Sequence, residues 1–212
     1  KRLLITAGPT FEPIDPVRYI ANRSSGKQGF AIAASAAKAG ADVTLVSGPV
    51  DLDDPAGVRV IRVESARDML AQVETLLPVD IAIFAAAVAD WRVASQSTEK
   101  IKKDGSGQPP ALNFVENPDI LARVAQSPQA QSGALYCVGF AAESHDLLAH
   151  ATAKRARKGV PLLVGNIGPA TFGQDDNALL LVDEQGHREL PHASKRALAQ
   201  QLVAEIARRL PR

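Results

Sequence analysis

The stretch Asn22-Arg23-Ser24-Ser25-Gly26-Lys27-Gln28-Gly29 runs a polar, glycine-bearing turn straight into the alanine-rich segment Phe30 to Ala39. Just upstream, Leu3-Leu4-Ile5-Thr6-Ala7 is a short apolar run with β-branched content, and Gly8, Pro9, Pro13 and Pro16 forbid its continuation as a helix. It reads as a buried first strand. Ser25, followed three residues later by Gln28, has the form of a capping box, which predicts a helix filling 30–39 and ending at Gly40. Free backbone N–H groups then collect near residues 25 to 28, where the helix dipole also favours an anion. A well-capped helix with no ligand is the plainer reading, since a serine cap alone contributes about 0.5–2 kcal/mol. Arg18 and Asn22, on the loop before the helix, are placed to touch whatever binds.

Two familiar phosphate motifs are excluded by counting. A P-loop needs glycine five residues before its Gly-Lys pair and Ser or Thr after it, and those places hold Ala21 and Gln28. The Gly-x-Gly-x-x-Gly dinucleotide fingerprint is absent too, because no glycine lies between Gly8 and Gly26. Any phosphate loop here is of another kind.

Outward from this start, Asp42 to Ser47 is a second β-rich run, closed by Gly48-Pro49. Strand, helix and strand in this span form a βαβ unit, hence a parallel sheet with a right-handed crossover. Val58 to Val63 reads as a third strand. The helix after Ser65 places Ala66, Met69, Leu70, Val73, Leu76 and Leu77 on one face. Val79 to Val88 is the most apolar stretch, as suits a central strand buried on both faces. It ends in Ala85-Ala86-Ala87 before Asp90. Ligands of open α/β sheets bind beyond the carboxyl ends of the strands, so Ala85 to Asp90 lies where one belongs; tight helix–sheet packing is the competing use of those alanines.

From Arg92 to Pro110 the chain turns to Ser, Thr, Gln, Gly and Pro, with Lys100, Lys102 and Lys103 close together: a disordered loop or a mobile lid. Leu112 to Val115 looks like a short strand, and Asn117-Pro118-Asp119 opens a helix running to Val124. Leu135 to Phe140 repeats the central-strand pattern. Lys154 and Lys158, four apart on the next helix, share a face that can hold a polyphosphate or simply complement the helix dipole. Pro161 to Ile167 is another buried strand, with Asn166 near its end. Ala178 to Val182 and His187 to Leu190 flank Glu184-Gln185-Gly186 as an antiparallel edge hairpin, and Ser194 caps a last helix with Leu198, Leu202, Ile206 and Leu210 in one stripe. The fold class is therefore α/β: a Rossmann-like, mainly parallel sheet with helices on both faces and a C-terminal antiparallel hairpin. With no repeat and no interdomain linker, residues 1–212 are expected to form one domain. An edge hairpin with open backbone groups favours a homodimer.

Composition narrows the classes of function. Twenty-four basic against twenty-three acidic residues give a net charge of +1, so the balance points to neither nucleic acid nor a membrane surface. No window approaches the about 18 apolar residues of a membrane span, and no secretory signal opens the chain. Cys137 alone rules out an intramolecular disulfide or a cysteine zinc site, which fits a reducing cytoplasm. It sits in an apolar run and reads as a buried structural thiol. His145, His150, His187 and His192 show no metal-ligand spacing and read as surface residues; no metal ligand is assigned. Lys1 in place of an initiator methionine suggests a fragment or processed form.

Taken together, Ile5 to Thr10, Asp15-Pro16-Val17-Arg18, Asn22 to Gly29, Ala86 to Asp90, Lys100-Ile101-Lys102-Lys103, Asn117-Pro118-Asp119, Gly139 to Glu143 and Lys154 to Lys158 resemble the phosphopantothenoylcysteine synthetases. The likeness is to the bacterial domain that follows a flavin-dependent decarboxylase in one coenzyme A biosynthesis protein, and it covers essentially the whole chain in order. The resemblance implies a ligase. CTP and 4′-phosphopantothenate would give an acyl-cytidylate and pyrophosphate; L-cysteine would then displace CMP to form the amide. It also implies Mg²⁺, since two anions must meet. Lys100 matches the family's mobile-loop lysine for activation, and Asn22 the asparagine that holds the acyl-cytidylate. Arg18 matches an arginine on the same loop, with Ser25 and Gly26 available to a phosphate of either ligand. The CTP site maps onto Phe84, Ala85, Ala86, Asp90, Lys100, Val115, Glu116, Asn117, Pro118, Phe140, Lys154 and Lys158. Glu116 stands where the family commonly has lysine, and Gln28 where methionine is usual. The competing function is an NAD(P)-dependent reductase of the short-chain kind, against which stand the missing glycine fingerprint and the absence of Tyr-x-x-x-Lys: Arg23 follows Tyr19, and Phe140 follows Tyr136, at that spacing.

Overall fold

Alternating apolar strands and amphipathic helices leave two helical layers with one sheet between them. A computed structural model describes residues 1–167 and 173–210. Its strands are β1 (Arg2–Ala7), β2 (Phe11–Pro13), β3 (Tyr19–Ala21), β4 (Asp42–Ser47), β5 (Val58–Arg62), β6 (Ile81–Phe84), β7 (Trp91–Val93), β8 (Phe114–Glu116), β9 (Tyr136–Glu143), β10 (Leu162–Ile167), β11 (Asp176–Asp183) and β12 (Gly186–Ser194). The helices are α1 (Lys27–Lys38), α2 (Ala66–Leu76), α3 (Ile120–Ala125), α4 (Pro128–Gln131), α5 (Leu147–Lys158) and α6 (Lys195–Arg209).

Eight strands form the main sheet in the order β12-β11-β10-β9-β6-β1-β4-β5. All are parallel from β5 to β10, and β11 and β12 add antiparallel at one edge, as the hairpin reading requires. Strand periodicity sets the two cores. Leu3 and Ile5 face α1 and α6, packing with Phe30, Ile32, Leu198 and Leu202, while Leu4 faces Met69 and Val73 of α2 and Val124 of α3. Each fully buried aliphatic side chain contributes about 1.5–3 kcal/mol, so both faces of β1 and β6 help hold the sheet.

The start of α1 differs from the sequence expectation. The helix begins at Lys27, with Gly26 at the N-cap position at φ 74° and no side-chain cap. Glycine offers no capping oxygen, and its left-handed backbone lies outside the extended region in which a capping side chain reaches the first turn. Ser25 and Gln28 therefore form no capping box. Ser24 Oγ accepts from Gly26 N at 3.3 Å instead, and Gln28 reaches across to α6, its Nε2 donating to Lys195 O at 3.3 Å. The box predicted nowhere is at Ser65, where Asp68 completes it, and the nearly buried Glu12 accepts from Ala66 N at 2.8 Å.

Gly29 decides how closely α1 meets the end of β1. A Cβ added there would lie 2.5 Å from Ala7 Cβ. Gly29→Ala is therefore expected to destabilise the fold by about 1–3 kcal/mol through overpacking, read as a lower urea midpoint with an unchanged slope.

The apolar run from Val79 is a strand only over Ile81–Phe84; beyond it Ala87 makes a single parallel bridge with Pro9. The polar segment after Arg92 is neither free nor isolated. β7 pairs antiparallel with β8, so the segment is the loop of a small two-stranded sheet, and Ser97 N donates to Ile14 O at 3.0 Å. A second small sheet, β2–β3, escaped the sequence reading because Pro13 was taken as a stop, whereas proline is tolerated at the end of an edge strand.

Candidate functional site

Thr6 of β1, Phe84 of β6, Phe140 and Ala142 of β9 and Asn166 of β10 open at the carboxyl ends of the parallel strands onto a cavity of about 700 Å³. That is where an open α/β sheet binds its ligand, and the volume suits a nucleotide-sized one. The segment Ala85 to Asp90 forms part of the wall and is pinned by buried hydroxyls: Thr10 Oγ1 accepts from Ala89 N at 2.9 Å, and Thr6 Oγ1 from Ala86 N at 3.4 Å. Asn22 Nδ2 donates to Ala87 O and to Val88 O, each at 3.2 Å. Both amide hydrogens are thus spent on the wall, and the Asn22 oxygen is what remains to accept from a ligand.

Asn117 staples the next loop to that wall. Its Nδ2 donates to Ala89 O and its N to Asp90 O, both at 2.8 Å. Arg92 Nη1 donates to Glu116 O and, at 3.2 Å, to Asn117 Oδ1. Glu116, Asn117 and Pro118 line the cavity, and Val115, paired with Arg92 in the small sheet, does not. Asp119 caps α3, accepting from Ala122 N at 2.9 Å, and is ion-paired with Lys158.

One wall is cationic. Lys154, Arg157 and Lys158 on α5 all line the cavity, because three- and four-residue spacing puts them on one face. Burial pushes the Lys154 ammonium below its usual range; Glu143 opposes that shift, Arg157 adds to it, and Asp90 opposes it more weakly. Lys158 is lowered by burial as well, with Asp90 opposing. A second basic pair, Lys27 and Lys195, lies by the start of α1. Lys27 Nζ donates to Asp175 Oδ1 at 2.7 Å and Gly173 O at 2.9 Å, and Lys195 Nζ to Gln174 O at 2.5 Å.

The cavity thus gathers Asn22, Ser25, Gly26, Phe84, Ala85, Ala86, Asp90, Glu116, Asn117, Pro118, Phe140, Lys154 and Lys158. Arg18, Lys100 and Val115 lie outside its lining; Lys100 is exposed and Arg18 is paired with Asp15. Sequence reasoning missed Lys27, Gln28, Arg157, Asn177 and Lys195 as lining residues. Arg157 was within reach by its spacing from Lys154. Lys195, by contrast, arrives from the helix after Ser194, and nothing local signals that. Cys137 is 1% exposed and its thiol is pushed up to about 12 by burial, so it is no nucleophile. His145, His187 and His192 are exposed, and none of the four histidines lines the cavity. Among the described residues no cluster of three or more His, Cys, Asp or Glu could hold a metal, and no helix is long and apolar enough to cross a membrane.

Fold and cavity together define a doubly wound α/β protein with a strand-end site for a polyanionic ligand. The family model of the DNA/pantothenate metabolism flavoprotein C-terminal domain matches residues 1–210, and the chain belongs to that family. It is 47% identical over 212 residues to the coenzyme A biosynthesis bifunctional protein CoaBC of Escherichia coli strain K12, covering 98% of this chain and 52% of that protein. The protein of the same name from Mycobacterium bovis is 45% identical over 221 residues, covering 97% and 52%. The chain thus spans about half the length of these relatives. The solved C-terminal domain of a coenzyme A biosynthesis bifunctional protein CoaBC superposes with a TM-score of 0.81 at 36% identity, covering 99% of this chain and 95% of that one. The resemblance read from the motifs and the α/β fold are both borne out.

Proposed function

We propose that the chain is a phosphopantothenate–cysteine ligase of coenzyme A biosynthesis that uses CTP and passes through an acyl-cytidylate. The observation that carries this reading is the convergence of Asn22, Asp90, Phe140 and Lys154 on one cavity, from four separate parts of the sequence. Close relatives named for coenzyme A biosynthesis supply the substrate class.

In the first step a carboxylate oxygen of 4′-phosphopantothenate attacks the α-phosphorus of CTP, and the bond to the β-phosphate breaks to release pyrophosphate. Lys154, Arg157 and Lys158 would hold the phosphates, the N–H groups of the first turn of α1 would take a further phosphate, and Phe140 would offer an apolar surface to the base or ribose. Lys158 must exchange Asp119 for phosphate. Lys100 is read as the cation that serves activation, brought to the site by movement of its segment or from a second copy. Magnesium bound through a triphosphate needs only one or two carboxylates, and Asp90, exposed at the cavity beside the cationic wall, fits that need; bound Mg²⁺ would neutralise phosphate charge. In the second step the cysteine amine attacks the acyl carbon, CMP leaves and the amine loses a proton. The Asn22 oxygen is the acceptor suited to orient that amine.

The reading extends to partners. Exposed large apolar residues favour a homodimer, but not through the hairpin edge: β12 shows His187, Arg188, Glu189 and His192 to solvent, whereas Tyr19, Trp91 and Phe114 are each more than half exposed on the two small sheets. A decarboxylase portion in the full-length protein and a cytoplasmic location follow from the same reading. The reductase alternative has little to stand on, since neither Tyr19 nor Tyr136 lines the cavity.

Product analysis by chromatography tests the proposal. Pyrophosphate is expected from CTP only when phosphopantothenate is present, and CMP with the amide once cysteine is added. NAD(P)H oxidation without nucleotide cleavage would sink it.

A further inference from the structure

Asp15 is the most heavily engaged carboxylate among the described residues, and nothing above uses it. Its side chain is fully buried. It accepts from Val17 N and Arg18 N at 2.9 Å, from Arg18 Nε at 3.0 Å, from Arg18 Nη2, and from Ile101 N at 3.1 Å. Arg18 Nη2 also donates to Ile101 O at 2.9 Å. Both backbone groups of Ile101 are therefore clamped, and the clamp joins positions 86 residues apart. Residue 97 is tied to the same loop through Ile14, whose own N donates to Arg18 O at 2.8 Å. A turn alone would need only the Val17 and Arg18 amides. The guanidinium fork and the Ile101 contact go beyond that need, and they reach the residue next to Lys100.

We propose that Asp15 is a positioning residue that binds Arg18 and the Lys100 segment into one unit, so that both basic groups are presented to the reacting phosphates together. This rests on the ligase reading for the roles of Arg18 and Lys100. The Arg18 guanidinium holds the Asp15 carboxyl far below the usual carboxylate range, so the clamp stays charged at any working pH. Its contribution is fully present above about pH 4 and fades only as pH falls toward the lowered value. An amide cannot replace the carboxylate, since its NH₂ would face donors that now converge on oxygen.

Two readouts separate positioning from general stability. Trypsin cuts after Lys100, Lys102 and Lys103, so cleavage there reports the clamp directly. Asp15→Asn is expected to speed cleavage within 100–103 about tenfold, with other sites unchanged, and to lower kcat for pyrophosphate release about tenfold with little change in KM for CTP. In a Lys100→Gln background the same change is expected to add less than about twofold, because residues acting as one unit are not additive. Should Asp15→Asn fail to fold, Ile101→Pro, which removes the donated N–H and leaves the Asp15–Arg18 pair intact, gives the same pattern. Unchanged cleavage, an unchanged kcat in both variants, or a full tenfold multiplication on Lys100→Gln overturns the proposal. If the unaltered protein releases no pyrophosphate from CTP, the ligase reading fails instead, and cleavage alone decides whether Asp15 fixes the segment.

Discussion

The Asn22→Asp variant is expected to release pyrophosphate within about threefold of the unaltered rate and to form the amide at least about 100-fold more slowly, the scale of losing a hydrogen-bond donor set that preorganises a reacting centre. The structure gives the reason. Asn22 Nδ2 is held by Ala87 O and Val88 O, each at 3.2 Å. A carboxylate there would face two carbonyl oxygens, lose both bonds and turn away from the wall. It would also bring a negative charge toward a phosphate-bearing intermediate. The activation step, which depends on cations rather than on this amide, should survive. Single-turnover chromatography resolves the two steps: acyl-cytidylate accumulates in the variant and decays slowly on addition of cysteine. Equal loss of both steps would show that Asn22 shapes the whole cavity rather than the second reaction.

Sequence reading reached the sheet because the sheet is built from signals of short range. Leu3 to Ala7, Asp42 to Ser47 and Leu135 to Phe140 each announce themselves by continuous apolar content, and the helix after Ser65 by its periodicity. It failed at Ser25 because a capping box is a pattern of side chains, whereas the α1 start is set by a backbone choice, the left-handed Gly26, made where the turn passes Gly8 and Val50. The two small sheets were hidden for a related reason: three-residue strands carry too little periodicity to register, and Pro13 argued against one of them. In the site, residues on contiguous motifs were legible. Lys195, which meets Lys27 only through tertiary packing, was not, and neither was the Asp15 clamp, whose partners lie far apart in the chain.

The largest loss of nucleotide affinity is expected from the double change Lys154→Gln and Lys158→Gln, which should raise Kd for CTP about 100-fold or more. Each hydrogen bond to a charged group contributes about 1.5–3 kcal/mol, and each 1.4 kcal/mol is tenfold in Kd. The two lysines are not equal. Lys158 already holds Asp119, so the phosphate gains its charge only by displacing that carboxylate, and Lys158→Gln alone should cost the least. Lys154 has no such exchange to make in its recorded contacts, and burial has already lowered its proton affinity. That fixes the direction of the pH effect. An anion binds the protonated ammonium, so affinity is complete below the lowered pKa of the free protein and falls as pH rises through it. Calorimetric titration of CTP between pH 7 and pH 10 should therefore show affinity declining earlier than an ordinary lysine would allow, with the slope flattened in Lys154→Gln and retained in Lys158→Gln. A double variant that binds CTP as tightly as the unaltered protein would move the triphosphate away from α5, leaving the start of α1 with Lys27 and Lys195 as the remaining basic surface of the cavity.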